Sequence, residues 1–254
     1  MMNKKLEKEI ILSTGQFDKE KDYWLNKLSG ELTKTNFPYD WTKIAKSENK
    51  EHRNIFKFSL TSELCTKLLK MSTQSNENLY MLLLSGLMLL LYKYSGSSDI
   101  LVGTSIYRQK EQGDFINTAL MLRGQINENI SFKEFLMQVR QTLIEANKNR
   151  NYPLEVLLDK LDIPMTGQIE SLLQTTALLE NIHDKSYLEG FDSNIQFYFI
   201  KTENDIQASI EYNTLLYKEN TIERIATHYI NLLNEVLGNT NMQISDICIL
   251  SNEE

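Results

Sequence analysis

Cysteine, proline, histidine and glycine are all scarce, at 2, 3, 3 and 10 among 254 residues, and each shortage closes off a class of protein. Cys65 and Cys248 stand far apart, each inside an apolar pattern, so neither a disulfide framework nor a metal-ligand spacing is on offer. Two buried, reduced thiols in a cytoplasmic protein are expected instead. With so little proline and glycine there is no linker-like stretch; no low-complexity tract or fixed-period repeat appears either, and one continuous globular unit is expected. Positive charge is also short: 27 Lys and Arg against 34 Asp and Glu leave a net charge of −7, the wrong sign for nucleic acid. Protein or small-molecule partners are expected. The lysines of the first segment are interrupted by Glu7 and Glu9 and followed only by Ile10, Ile11 and Leu12, which is no signal peptide. The most apolar stretch, Leu79 to Tyr92, ends at Lys93, short of the roughly 20 residues of a membrane span. It reads as a buried core helix.

The hydrophobic content of 41% can supply a core, and its periodicity outlines the elements. Phe17, Tyr23, Trp24 and Leu28 share one helical face that stops at Ser29-Gly30. Asn54 to Leu60 alternates as a strand, and Thr61-Ser62-Glu63 supplies the N-cap of a helix with Leu64, Leu68 and Met71 as its stripe. Ser75 or Asn76 caps the long apolar helix, and Ile100 to Ile106 reads as a buried strand. Phe115 to Leu122 reads as extended. Ser131 and Glu134 form a capping box before an amphipathic helix, and Pro153 opens a short helix over Leu154 to Leu161. Leu173 to Leu179, Ile195 to Ile200 and Ile206 to Tyr212 read as strands, the last two as a hairpin. Thr221 is expected to cap a helix over Ile222 to Leu237. Helices between strands in this order predict an α/β sandwich on a mixed sheet.

Several of these segments together resemble the condensation domains of nonribosomal peptide synthetases. Tyr23-Trp24 to Leu28, then Phe37-Pro38-Tyr39-Asp40, is similar to the family's YW entry and LPxD-like turn. Gly103-Thr104 with Arg108 resembles a G-T-P-x-x-G-R strand end, with Ser105 and Tyr107 in place of proline and glycine. Gly113 to Arg123 (GDFINTALMLR) resembles the signature G-x-F-V-N-T-x-x-L-R, and it is the most specific of these motifs. Asn151-Tyr152-Pro153-Leu154-Glu155 resembles (H/N)QDxPFE without its Gln-Asp pair. Ile210 to Thr214, Leu216-Tyr217 and Thr221 to Arg224 are similar to IEYNTDLFxxxTIxR, and Ile247 to Glu254 to the passage into an adenylation domain. The order is the family's, from about Tyr23 onward. The resemblance implies a single chloramphenicol-acetyltransferase-like lobe, the C-terminal one, with residues 16–254 as the lobe and 1–15 as an extension.

The family's HHxxxDG motif, whose second histidine acts on or positions the acceptor amine, belongs to the first lobe and does not occur here. His52, His183 and His228 have no histidine neighbour, and Phe56, Tyr187 and Leu232 stand four residues after them. Each reads as an ordinary surface or helix histidine. There is no G-x-S-x-G, HExxH or P-loop, so no catalytic residue, metal ligand or directly bound cofactor is expected; substrates would arrive on the phosphopantetheine of carrier proteins. The tunnel or lobe-interface candidates that the resemblance supplies are Arg108, Gly113, Phe115, Asn117, Thr118, Arg123, Tyr152, Pro153 and Glu155. Asn117 and Thr118 read either as tunnel lining or as a strand end that satisfies backbone groups. Arg123 reads as a pair across the lobe interface or a surface pair. Tyr152, Pro153 and Glu155 read as a turn and helix start rather than a substrate contact. The chain is shorter than the family pattern between Arg108 and Gly113, and residues 166–174 scarcely keep RDxSRNPLFQ beyond an apolar tail and Asn181. The expected function is a noncatalytic platform before an adenylation domain, favoured by Met1-Met2 and the linker-like end. The alternatives are half of an amide-forming domain completed by a separate first lobe, and a carrier-protein or partner docking module. A lobe built to pair is also expected to expose an apolar patch.

Overall fold

A computed structural model describes residues 15, 17–32, 35–41, 52–109, 117–161, 172–191 and 193–250, without the side chains of 154, 155 and 159. The named elements are α1 (Asp18–Lys27), β1 (Arg53–Ser59), α2 (Ser62–Met71), α3 (Asn76–Ser95), β2 (Asp99–Ser105), β3 (Ala119–Gln125), α4 (Phe132–Lys148), α5 (Leu154–Lys160), β4 (Thr175–Leu179), β5 (Ile195–Lys201), β6 (Ile206–Asn213) and α6 (Glu219–Gly238). Short 3₁₀ turns lie at Lys185–Leu188 and Ile244–Asp246. Local chemistry sets the starts of α2, α3 and α4. Thr61 and Ser75 accept from Leu64 N and Asn78 N, and Ser131 and Glu134 close a full capping box. Ser75, not Asn76, is the cap of α3, and that helix ends at Gly96 in the left-handed conformation, φ 66°.

The six strands form one mixed sheet in the order β1-β6-β5-β4-β2-β3. β2 and β5 run parallel to β4, and the remaining pairs are antiparallel. The expected β5–β6 hairpin is present, with Lys201 opposite Ile206. At Gly103 the parallel strands come so close that a Cβ would lie 2.9 Å from Thr176 Cγ2 and 3.0 Å from Leu173 Cδ2. Ile195, Phe197 and Phe199 of β5 and Ile206, Ala208 and Ile210 of β6 alternate into the core.

Every residue from Leu79 to Leu91 of α3 is buried, because the helix packs on α2, α4, α6 and the β2–β4 region of the sheet. Burying a leucine contributes roughly 1.5–3 kcal/mol, so the eight leucines of this run, each at most 1% exposed, supply on the order of 10–25 kcal/mol before chain entropy. Tyr80 and Tyr229 place hydroxyls in this core without leaving them unpaired: Tyr229 donates to Leu83 O at 2.9 Å, and Tyr80 bonds at the sheet. Gly86 allows α6 to close on α3; a Cβ there would lie 2.6 Å from Leu233 Cδ2. Among the described residues no helix is long and apolar enough to cross a membrane.

Several expectations need correction. Cys65 is buried, but Cys248 is exposed, because it lies in the segment after α6, with its backbone N donating to Glu235. His183, 1% exposed, is neither a surface nor a helix histidine: it follows β4 and forms an isolated bridge with Tyr107. His228 is a helix histidine as expected, on α6 and buried there. β3 begins at Ala119 and β4 at Thr175; residues 115 and 116 lie outside the described residues, and Leu172 is part of a helical turn. Among the described residues the exposed large apolar side chains are Trp41, Ile55, Met71, Met137, Ile144 and Leu250.

Thr221 does not cap α6. The helix begins at Glu219, and its N-cap residue, Lys218, offers no side-chain cap. The carboxylate of Asp40 takes that role from a segment 178 residues away: Asp40 Oδ2 accepts from Lys218 N at 2.8 Å and Oδ1 from the Thr221 hydroxyl at 2.9 Å. Residues 35–41 thus form a strap over the helix start, with Asp40 N donating to Leu216 O at 2.9 Å and Phe37 buried edge-on to Tyr94. Replacing Asp40 by Ala is expected to lower stability by about 1 kcal/mol, a drop in Tm of about 2–4 °C for a chain of this size. Thermal unfolding of Asp40→Ala at the wild-type Tm would contradict the remote cap.

Candidate functional site at the sheet end

β2 and β4 run parallel, so their carboxyl ends open on the same edge of the sheet, the side where open α/β sheets place their sites. Antiparallel β3 starts at that edge. This brings Arg108, Asn117, Thr118, Tyr152 and Pro153 to one end of the lobe. Arg108 donates from its backbone N to Ile182 O at 2.7 Å and from Nη2 to His183 O at 2.9 Å. Asn117 Nδ2 donates to Arg150 O at 3.0 Å and also to Tyr152 O, fastening the start of β3 to the turn before α5. The Thr118 carbonyl accepts from Ile106 N at 2.9 Å, and the Pro153 carbonyl accepts from Leu157 N at 3.1 Å as the first turn of α5. Tyr152 is 1% exposed, and burial pushes its phenol pKa up. Gly113 and Phe115 lie outside the described residues; Glu155 lies on α5 with its side chain undescribed.

Arg123 is not part of this group. It sits at the opposite end of β3, where its guanidinium clasps Asp99 through two bonds of 2.8 and 2.7 Å and donates to Ser29 O at 2.6 Å and Glu31 O at 3.1 Å. The pair is internal to the lobe and mostly buried, at 12% and 16% side-chain exposure. It holds the C-terminal end of α1 on the sheet, and the Asp99 bonds raise the Arg123 pKa.

Beneath the strand ends lies a polar cluster of which the motif reading held only Thr104. The Tyr80 hydroxyl is 2.7 Å from Thr104 Oγ1, and both hydroxyls are 3.0 Å from Ala177 O. Full burial raises the Tyr80 pKa, so its proton stays. The His183 ring stands edge-on to Tyr80 with centroids 4.4 Å apart and 5.5 Å from Tyr107. His183 Nδ1 accepts from Leu179 N at 3.0 Å, which assigns the proton to Nε2. Nε2 has no hydrogen-bond partner among the described residues; the edge-on Tyr80 ring faces this imidazole instead. The imidazole's one lone pair is therefore occupied, and burial drives its pKa down to about 3. A base needs a free lone pair within reach of a proton, and His183 offers none. His228 faces the Tyr94 hydroxyl through Nδ1 at 2.7 Å, and His52 O accepts from Thr214. The signal for this cluster was a tyrosine inside an apolar run and a threonine at a strand end, neither of which is distinctive in sequence. Asn181 braces the adjacent turn, accepting from Lys201 N at 2.8 Å and donating to Lys201 O at 3.0 Å. No group of three metal-ligating side chains occurs among the described residues.

A mixed six-stranded sheet covered by an apolar helix, with candidate residues gathered beyond the ends of its parallel strands, defines a chloramphenicol-acetyltransferase-like α/β lobe. Solved structures share this fold: a four-domain nonribosomal peptide synthetase bound to AMP and glycine (TM-score 0.79, 17% identity, 92% of this chain and 20% of that one), and the X-domain from teicoplanin biosynthesis (TM-score 0.77, 18% identity, 96% and 61%). The Condensation domain family model matches residues 7–254, and the chain belongs to that family. Among curated relatives, gramicidin S synthase 2 of Brevibacillus brevis is 33% identical over 267 residues, covering 96% of this chain and 6% of the relative. Bacitracin synthase 3 of Bacillus licheniformis is 31% identical over 265 residues, covering 97% and 4%. The chain thus spans a small fraction of the length of these relatives.

The state of His183 has a measurable consequence. The fold holds the imidazole neutral, whereas the unfolded chain protonates it near its ordinary value of 6.5. Stability from this group is present above pH 6.5 and falls as pH drops toward about 3, by up to about 1.4 kcal/mol per pH unit. Urea midpoints measured from pH 7 to pH 4 should fall more steeply in the wild type than in His183→Gln. Parallel curves would contradict the buried neutral imidazole.

Proposed function

We propose that this chain is the C-terminal lobe of a nonribosomal peptide synthetase condensation domain, with residues 16–254 as the lobe and 1–15 as an extension before it, acting as a noncatalytic platform that precedes an adenylation domain. The observation that carries the reading is the occupied lone pair of His183, the histidine at the very strand ends where the family-like motifs converge. With no HHxxxDG in the sequence, the group that would act on the acceptor amine is not among this chain's residues. Arg108, Asn117, Thr118, Tyr152 and Pro153, together with Gly113, Phe115 and Glu155, would border the substrate path; Arg123 braces α1 at the far end. No cofactor is held directly: an aminoacyl or peptidyl group would come on the phosphopantetheine of a carrier protein, in the cytoplasm, toward an antibiotic or related secondary metabolite.

A second reading is half of an amide-bond-forming domain, completed by a separate first lobe bearing HHxxxDG. It is favoured by the span of the match, which takes in 96% of this chain but 61% of the teicoplanin X-domain chain. A docking role is a third reading, and a related fold has been solved in complex with OxyB from teicoplanin biosynthesis.

One experiment separates these readings. The chain is mixed with first lobes carrying HHxxxDG, and product formation between two carrier-bound substrates is followed, together with co-elution with adenylation and carrier domains. The platform reading expects no product and co-elution with the adenylation domain. Product formation in the mixture would replace it with the half-enzyme reading, co-elution with the carrier alone would replace it with the docking reading, and neither product nor co-elution would overturn all three.

A further inference from the structure

α4 gives Phe132, Phe135, Val139, Leu143 and Ala146 to the core. On its outer side Lys133, Met137, Arg140, Ile144 and Lys148 follow one another at steps of four or three residues, which stacks them along one side of a helix. All five are exposed, the apolar Met137 and Ile144 at 52% and 48%. The stripe runs about 22 Å at 1.5 Å per residue. It holds three cations and no acid in a chain whose net charge is −7, and none of the three forms an ion pair among the described residues. The acids of α4 lie to the side of the stripe and are engaged: Glu134 closes the capping box at Ser131, and Glu145 accepts from Gln141 at 2.7 Å. Beside the C-terminal half of the stripe opens a groove of about 340 Å³, lined by Arg140 and Ile144 from α4, Glu77 and Asn78 from α3, and Tyr107.

We propose that this stripe docks a partner protein presenting an acidic amphipathic helix, its carboxylates over Lys133, Arg140 and Lys148 and its apolar side chains on Met137 and Ile144, one of them reaching the groove by Tyr107. Charge complementarity selects the occupant: cations in a row repel a basic partner and find no acid on their own face. Met137 and Ile144 supply the contact that excludes water, since exposed charges alone add little. A bilayer fits this surface poorly. Helices that lie on membranes bury a broad apolar face, and the broad face of α4 is already occupied by the core, which leaves two apolar side chains set between charges. A groove beside a helix instead takes a side chain from a second, convex helix. Glu77, on the α3 side of the groove, accepts from Ser75 at 2.8 Å and keeps the partner's carboxylates over α4 rather than over α3. The stripe lies apart from the candidate residues of the sheet end, so its docking role does not rest on any one of the functional readings given above.

The test is a fluorescence-anisotropy titration of the full chain into a labelled synthetic helix of about 20 residues that carries glutamates and leucines at the spacing of the stripe, on an alanine and glutamine background. The same peptide with lysine for glutamate, and vesicles of phosphatidylcholine and phosphatidylglycerol, are the comparison probes. Saturable binding of the acidic peptide is expected, about tenfold or more tighter than the basic one and several-fold weaker at high salt. Arg140→Glu, and Met137→Ser combined with Ile144→Ser, should each weaken it about tenfold. Lys57→Glu, at an exposed cation on β1, should leave it unchanged, which separates the stripe from net charge. Thermal unfolding curves of these surface variants should match the wild type, which keeps lost docking distinct from misfolding. Absence of saturable binding, equal affinity for the two peptides, or an equal loss from Lys57→Glu and Arg140→Glu would each overturn the proposal, and tighter binding to the vesicles than to the acidic peptide would replace the protein partner with a membrane surface.

Discussion

A helix that is apolar around its whole circumference has no face to give to water, so its environment has to be supplied from every side. α3 is such a helix, and the layers around it follow from that need: the sheet beneath, α4 and α2 along its flanks and α6 across it. Gly86 fixes how near α6 can come, and Tyr80 of α3 and Tyr229 of α6 bring hydroxyls into the core, each with an acceptor at hand. The same demand explains why β4 is buried along its whole length. A parallel strand in the centre of a covered sheet is shielded on both faces.

What could be read from the residues was whatever is decided locally. The caps near Thr61, at Ser75 or Asn76 and at Ser131, the β5–β6 hairpin and the period of α4 and α6 depend on neighbours within a few positions; the structure holds all of them, though α6 starts at Glu219, before the read start at Ile222. The family-like order of the motifs reached further, to the class of fold. Interactions between distant segments were not legible. Asp40 sat in a motif whose similarity said nothing of its partner; only the fold reveals that it closes the start of α6, and the threonine that looked like the cap is instead its ligand. The same holds for Arg123. Its partner, Asp99, follows a Ser/Gly stretch with no pattern of its own, and the carbonyls it binds carry no sequence signal at all.

The candidate residues divide by sheet end rather than by motif. Asn117 and Arg123 belong to one continuous signature, yet a seven-residue strand separates their surroundings: one pins the turn before α5, the other the end of α1. Both use side-chain donors to satisfy backbone carbonyls that no regular ladder reaches. Polar signature residues in this lobe therefore do structural work that the motif alone would credit to chemistry, and the Tyr80–Thr104–Ala177 triangle, outside any candidate set, is the most enclosed polar arrangement at the strand ends.

The order in which the chain is made gives α3 a further significance. Its cover from α6 is encoded after residues 96–218, and β1 finds its partner only in β6. At roughly 5–20 residues per second of synthesis, the most apolar helix of the lobe waits on the order of ten seconds for its lid. During that interval a greasy cylinder is held at the ribosome with part of its circumference bare, the kind of surface on which folding intermediates aggregate, and a stall in translation anywhere between the two helices lengthens that exposure.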